Sequence, residues 1–185
     1  RQAAPELSAS SEEIELFLLR QPFTATAAQR RVIGEISADL ERSTPMLRLL
    51  QGDVGAGKTL VAAAAALHAV SNGFQVAIMA PTELLAEQHW RNFNHWFKDS
   101  CYALTWLSGK TKGRKRAAAL ASIGSGDAAI VIGTHALFQT EVDFKQLGLI
   151  IIDEQHRFGV EQRLSLARKG KQLRPHQLVM TATPI

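Results

Sequence analysis

"GDVGAGKT", residues 52–59, is the stretch on which the fold turns. It fits the pattern Gly-x-x-x-x-Gly-Lys-Thr. An apolar run, "MLRLL" (46–50), precedes it, and an Ala-rich helical pattern over 58–71 follows. Glycine lets successive backbone N–H groups turn inward around phosphate oxygens. The N-terminus of the following helix adds a partial positive charge. Gly52, Asp53, Val54, Gly55, Ala56 and Gly57 then supply the loop. Lys58 brings a full charge to the β- and γ-phosphates, and Thr59 offers a hydroxyl to Mg²⁺. The bland alternative is a glycine-rich turn with an exposed lysine. It does not account for strand, loop, Lys-Thr and helix agreeing. "SGKTKG" (108–113) repeats Gly-Lys-Thr, but the position where the first glycine belongs is Leu104, so this run reads as a polar loop.

Outward from the loop, short apolar runs alternate with helical patterns. "QVAIMA" (75–80), "CYALTWL" (101–107), "AAIVIG" (128–133), "LGLIIID" (147–153) and "QLVMTA" (177–182) read as further strands. Helices are expected at 82–97 and 114–123, the first with Ala86, Trp90, Phe93 and Phe97 on its buried face. Alternating β and α with near-continuous apolar strands predicts an α/β domain, its mostly parallel sheet covered by helices on both faces. Upstream, Thr26 to Glu41 reads as a helix opened by a Thr26–Gln29 capping box, with Val32, Ile33, Ile36 and Leu40 buried. Residues 1–20 read as a tail with one short helix, opened at Ser10 and Glu13 and apolar at Ile14, Phe17 and Leu18; the domain proper is placed at 21–185.

The run "LGLIIIDEQH" (147–156) ends an apolar strand in two acids. Ligands of open α/β sheets bind at the carboxyl ends of strands. Asp153 is placed there to hold Mg²⁺ through water, and Glu154 to take a proton from attacking water. The alternative is a solvated acidic strand end. With the phosphate loop, the pair points to phosphoryl transfer from a nucleoside triphosphate to water.

Composition bounds the rest. The 185 residues suit one ordinary domain, and 46% hydrophobic with 21% charged residues is a globular composition. Cys101 is the sole cysteine, so no internal disulfide forms, and a reducing, cytoplasmic setting is expected. The longest apolar run, "LVAAAAALHAV", is too short to span a bilayer. A net charge of +4 permits nucleic-acid binding without requiring it. The basic run "GKTKGRKR" (109–116), with Lys110, Lys112, Arg114, Lys115 and Arg116, is either a solvated face or a set of backbone-phosphate contacts.

"GDVGAGKT", "APTELLAEQH" (80–89), "GTHALF" (133–138), "DEQH" (153–156) and "TATPI" (181–185) occur in the order that resembles superfamily 2 helicases and translocases. "IIDEQHRFGVEQR" is similar to the branch-migrating DNA helicases within it; the related transcription-repair coupling translocases usually carry Glu where this chain has Gln155. The resemblance covers roughly residues 22–185 and implies a RecA-like P-loop NTPase domain, the first of two in the family, using ATP and Mg²⁺. It makes Phe23 and Gln29 of "FTATAAQ" an adenine site, although Gln29 also suits a helix cap. It makes Pro81, Thr82, Thr134 and His135 DNA contacts, where caps and turns are the alternative. Gln155 and His156, with Thr181 and Thr183, would couple nucleotide state to movement. Two departures stand out: Ala25 where the family often has Leu, and Ala56 where a Ser is common. The implied partners are branched or forked DNA and a second RecA-like domain of the same polypeptide. Neither that domain's motifs nor the family's wedge domain is expected within these residues. A monomer associated with the nucleoid is expected. A duplex translocase, or a nucleotide-gated binding module without motor activity, is the rival reading.

Overall fold

In the computed structural model, residues 2–8, 11–52, 56–154 and 160–181 are described, with Ala56, Glu154 and residues 160–163 described by backbone alone. The chain runs α1 (Ser11–Leu19), α2 (Ala27–Leu40), β1 (Leu47–Gln51), α3 (Ala56–Val70), β2 (Gln75–Met79), α4 (Glu83–Phe97), β3 (Ala103–Leu107), α5 (Gly113–Ser125), β4 (Ala128–Gly133), a 3₁₀ turn (His135–Phe138), β5 (Leu147–Glu154), α6 (Val160–Ala167) and β6 (His176–Thr181). The six strands form one sheet in the order β1-β6-β5-β2-β4-β3. Every pairing in it is parallel.

Side-chain alternation along the strands sorts the core onto two faces. Val76, Ile78, Ile130, Ile132, Leu149, Ile151, Leu178 and Met180 pack with α1 to α4. Ala77, Met79, Val131, Ile150, Ile152 and Val179 pack with α5, α6 and the 3₁₀ turn. The inner strands are buried on both sides, which explains their uninterrupted apolar runs, whereas Leu47 and Leu49 of edge strand β1 are exposed. α3 runs through the first layer. Residues Leu60 to Val70 are all buried, and its alanines let neighbouring backbones approach closely. The sequence missed α6, an eight-residue helix too short for a clear helical period, and the 3₁₀ turn.

At the end of β4, glycine is a steric requirement. A Cβ at Gly133 would land on the Leu107 carbonyl oxygen of the adjacent edge strand. The glycine of "GTHALF" thus has a packing role in addition to any functional one.

The first residues lie along the domain in extended form. Ala4 N–H donates to the Ser43 carbonyl at 2.7 Å, and Leu7 N–H donates to that of Leu40 at 2.9 Å. His68 Nε2 meets the Leu7 carbonyl at 2.8 Å, and Asn72 exchanges two hydrogen bonds with the Ser8 backbone. His176, fully buried, donates from Nε2 to the Pro5 carbonyl at 2.8 Å and accepts the Met46 N–H on Nδ1 at 2.9 Å. α1 then docks through Phe17, whose ring lies 6.2 Å from those of Trp96 and Phe97 on α4. Ile14, Phe17 and Leu18, the apolar face read from the sequence, are buried. Ser10 of the expected capping box lies outside the described residues.

This arrangement has a pH signature. Burial pushes the His176 pKa below its ordinary 6.5. The unfolded chain therefore takes up the proton first as pH falls. Stability is fully present above about pH 6.5 and declines as pH drops through the folded-state value. Urea midpoints measured at pH 7.5 and 5.5 should fall on acidification, and by less in His176→Gln; an equal fall in both proteins would remove His176 as a source.

Candidate active site

Three strand ends converge beside the phosphate loop. In the sheet register Thr181 of β6 pairs with Gln51 of β1 on one side and with Glu154 of β5 on the other. The strand carrying the acids is therefore next but one to the strand that feeds the loop, with β6 between. Lys58, in the first turn of α3, bridges the convergence. Its Nζ donates to the Gly52 carbonyl at 3.1 Å and to the Thr181 carbonyl at 2.6 Å. These two acceptors hold the cation between the residue that follows β1 and the end of β6. Thr59 follows it, half-buried. Asp53, Val54 and Gly55 of the loop lie outside the described residues, as does the Ala56 side chain.

Gln29 does two things the sequence left open. Its Oε1 accepts the Thr26 N–H at 2.8 Å, and its own N–H donates to Thr26 Oγ1 at 3.0 Å, completing the capping box of α2. Its amide nitrogen also lies against the loop, since a Cβ on Gly57 would stand 2.9 Å from Gln29 Nε2. Any residue but glycine at 57 would push this amide aside. Phe23 is 44% exposed, so it is not core; Ala25 is buried.

Asp153, at the end of β5, accepts a hydrogen bond from His89 Nε2 at 2.7 Å. Their side chains are only 16% and 7% exposed. His89 belongs to α4 and shares its buried face with Ala86, Phe93 and Phe97. The sequence reading missed it. The signal was available: His89 lies three residues after Ala86, a polar side chain on an apolar stripe. Glu154 closes β5 by its backbone, and its side chain lies outside the described residues, as do Gln155, His156 and Thr183.

The candidate DNA contacts divide by exposure. Thr82 is exposed and caps α4, its Oγ1 accepting the Leu85 N–H at 3.2 Å, with half-buried Pro81 before it. Thr134 is 2% exposed and turned to the Ala136 N–H of its own turn, whereas His135 is exposed. In the basic run Lys110, Lys112, Arg114 and Lys115 are exposed. Arg116 is held by Gln139 at 2.5 Å and by Glu141 at 3.2 Å. Glu141 sits below its ordinary carboxylate range, first through a bond to its own backbone and then through Arg116. Lys110, Lys112 and Lys115 line an open cleft of about 660 Å³ with Trp90, Trp106 and the carboxylates of Glu83 and Glu87.

The DEAD/DEAH box helicase family matches residues 26–185, and the chain belongs to it. Within that family the similarity is to RecG. The ATP-dependent DNA helicase RecG of Haemophilus influenzae is 60% identical over 171 residues, 91% of this chain and 25% of that protein. RecG of Pasteurella multocida is 57% identical over 185 residues, 99% of this chain and 27% of that protein. A solved structure of RecG bound to a three-way DNA junction is 42% identical and superposes with a TM-score of 0.88 over 99% of this chain and 24% of that one. The chain thus spans about a quarter of the length of the relatives it matches. Among the described residues no helix is long and apolar enough to cross a membrane.

Proposed function

We propose that this chain is the first RecA-like, ATP-binding motor domain of a RecG-like DNA helicase, a cytoplasmic, nucleoid-associated monomer. On this reading it couples ATP hydrolysis to movement on branched DNA, such as stalled forks and Holliday junctions. The observation that carries the reading is Lys58. Its ammonium is held by the phosphate loop at Gly52 and by the end of β6 at Thr181. An incoming γ-phosphate competes for the same ammonium and so alters its bond to β6. That gives nucleotide state a direct physical route to Thr181, and onward to Thr183, in the coupling motif.

Gln29 and Phe23 take the adenine edge and face, and the backbone of residues 52–57 takes the phosphates. Asp153 and Thr59 would hold Mg²⁺. A carboxylate at the end of β5 and a hydroxyl in the first turn of α3 are hard oxygen donors, suited to an ion that keeps most of its waters. A Mg²⁺ ion held by these residues would supply positive charge to offset that developing on the phosphates. Glu154 takes the proton of the attacking water, and Gln155 with His156 senses the result. Pro81, Thr82, Thr134, His135 and the basic run contact DNA through its backbone. Thr82, His135, Lys110, Lys112, Arg114 and Lys115 are the better placed of these, being exposed.

A second RecA-like domain would close the cleft from the other side and supply arginines worth about 10³–10⁵ in rate. The 185-residue chain alone should therefore bind ATP weakly, turn it over slowly and unwind nothing, while a full-length protein carrying it shows turnover stimulated by branched DNA. Robust DNA-stimulated turnover by the chain alone would overturn this division of labour. Nucleotide-dependent affinity for a protein, with indifference to DNA, would favour a gated binding module. Movement on duplex without branch unwinding would favour a translocase.

A further inference from the structure

We infer that His89 is a positioning residue for the metal-binding carboxylate. It fixes Asp153 in the orientation that receives Mg²⁺, and it ties that carboxylate to the helix that begins at the candidate DNA contact. The inference rests on the proposed role of Asp153.

The geometry is specific. A bare carboxylate at a strand end swings about two side-chain torsions, and each orientation presents its oxygens differently. The 2.7 Å bond from His89 Nε2 occupies Asp153 Oδ2 and removes that freedom. The imidazole is itself locked, since His89 is 5% exposed. Its Nδ1 is buried, and no partner for it is present among the described residues. A ring that gives a hydrogen bond from an apolar helix face, and whose other nitrogen has no partner among the described residues, is a costly choice for packing alone. Leucine would fill the face without that cost. Supporting partners of metal ligands commonly shift metal affinity or activity by about 10–100-fold when removed.

Thr82 caps the same helix seven residues earlier. Seven residues are close to two turns, so the two positions lie on one side of α4, about 10 Å apart along its axis. A shift of α4 on its bound phosphate would thus reach Asp153 through a single side chain.

The test uses the full-length protein and a fluorescent ADP analogue, with Mg²⁺ titrated into the nucleotide complex. His89→Leu and His89→Asn should raise the Mg²⁺ concentration at half-saturation by about 10–100-fold. Affinity for the analogue in EDTA should not change. His89→Gln, whose amide N–H reaches the place of Nε2–H, should restore the wild-type midpoint; asparagine is too short to reach. If the leucine variant fails to fold, the glutamine and asparagine pair carries the comparison. Equal midpoints for those two, or a leucine midpoint matching wild type, would overturn the inference. Asp153→Asn serves as the control. If it leaves the midpoint unmoved, the metal role of Asp153 fails; if it moves the midpoint while the His89 variants do not, only the positioning role fails.

Discussion

Glu154→Gln in a full-length protein should lower ATP turnover by about 10²–10⁴-fold, the range expected when a general base is lost, and leave nucleotide affinity unchanged. Glutamine keeps the size and hydrogen-bonding shape of the side chain but takes no proton. Affinity should survive because Lys58, the loop backbone and Gln29 are untouched. The register of β5 is what places this residue near Lys58. The Glu154 backbone pairs with Thr181, and the Thr181 carbonyl accepts the Lys58 ammonium. The Glu154 backbone is therefore one strand removed from the carbonyl that holds the Lys58 ammonium. Single-turnover hydrolysis and analogue binding, measured on the same preparation, separate the two effects. Unchanged turnover would assign the base to another group.

Lys58→Ala should weaken nucleotide binding by about 10–150-fold, the equivalent of 1.5–3 kcal/mol for hydrogen bonds from a charged donor. The effect has a second part that a freely exposed lysine would not show. The ammonium joins Gly52 to Thr181, so its removal also takes away one link between the end of β1 and β6. Hydrogen exchange at the end of β6 should rise in Lys58→Ala without nucleotide, whereas saturating wild type with an ATP analogue should alter the same amides. Wild-type affinity in the variant would contradict the phosphate role. Unchanged exchange at β6 would contradict the link to Thr181.

The sheet, and the turn from β1 into α3, were legible because their signals are local. Apolar strands, glycines and Lys-Thr declare themselves within a few residues, and the strand and helix boundaries fall within about two residues of expectation. The loop's neighbours were not legible in the same way. That β6 lies between β1 and β5 is a matter of topology, and no pattern within one strand encodes it. Gln29 looked like either a cap or a base contact, and the fold lets one amide cap α2 with its oxygen while its nitrogen faces Gly57. His89 escaped notice because its partner, Asp153, is 64 residues away in the chain. Thr134 is similar: a motif places it, but only the packed structure shows its hydroxyl turned to its own backbone.

The extended residues ahead of α1 bear on how this domain can be cut for experiment. The motifs begin near Phe23, and trimming to that point would look harmless on a motif map. It would strip the carbonyls of Pro5 and Leu7 from two buried imidazoles and the Ser8 backbone from Asn72. A shortened protein would carry its nucleotide motifs intact on a scaffold with orphaned polar groups inside it. Low yield or aggregation of such a truncation would then speak to its interior hydrogen bonding, not to its competence as a motor.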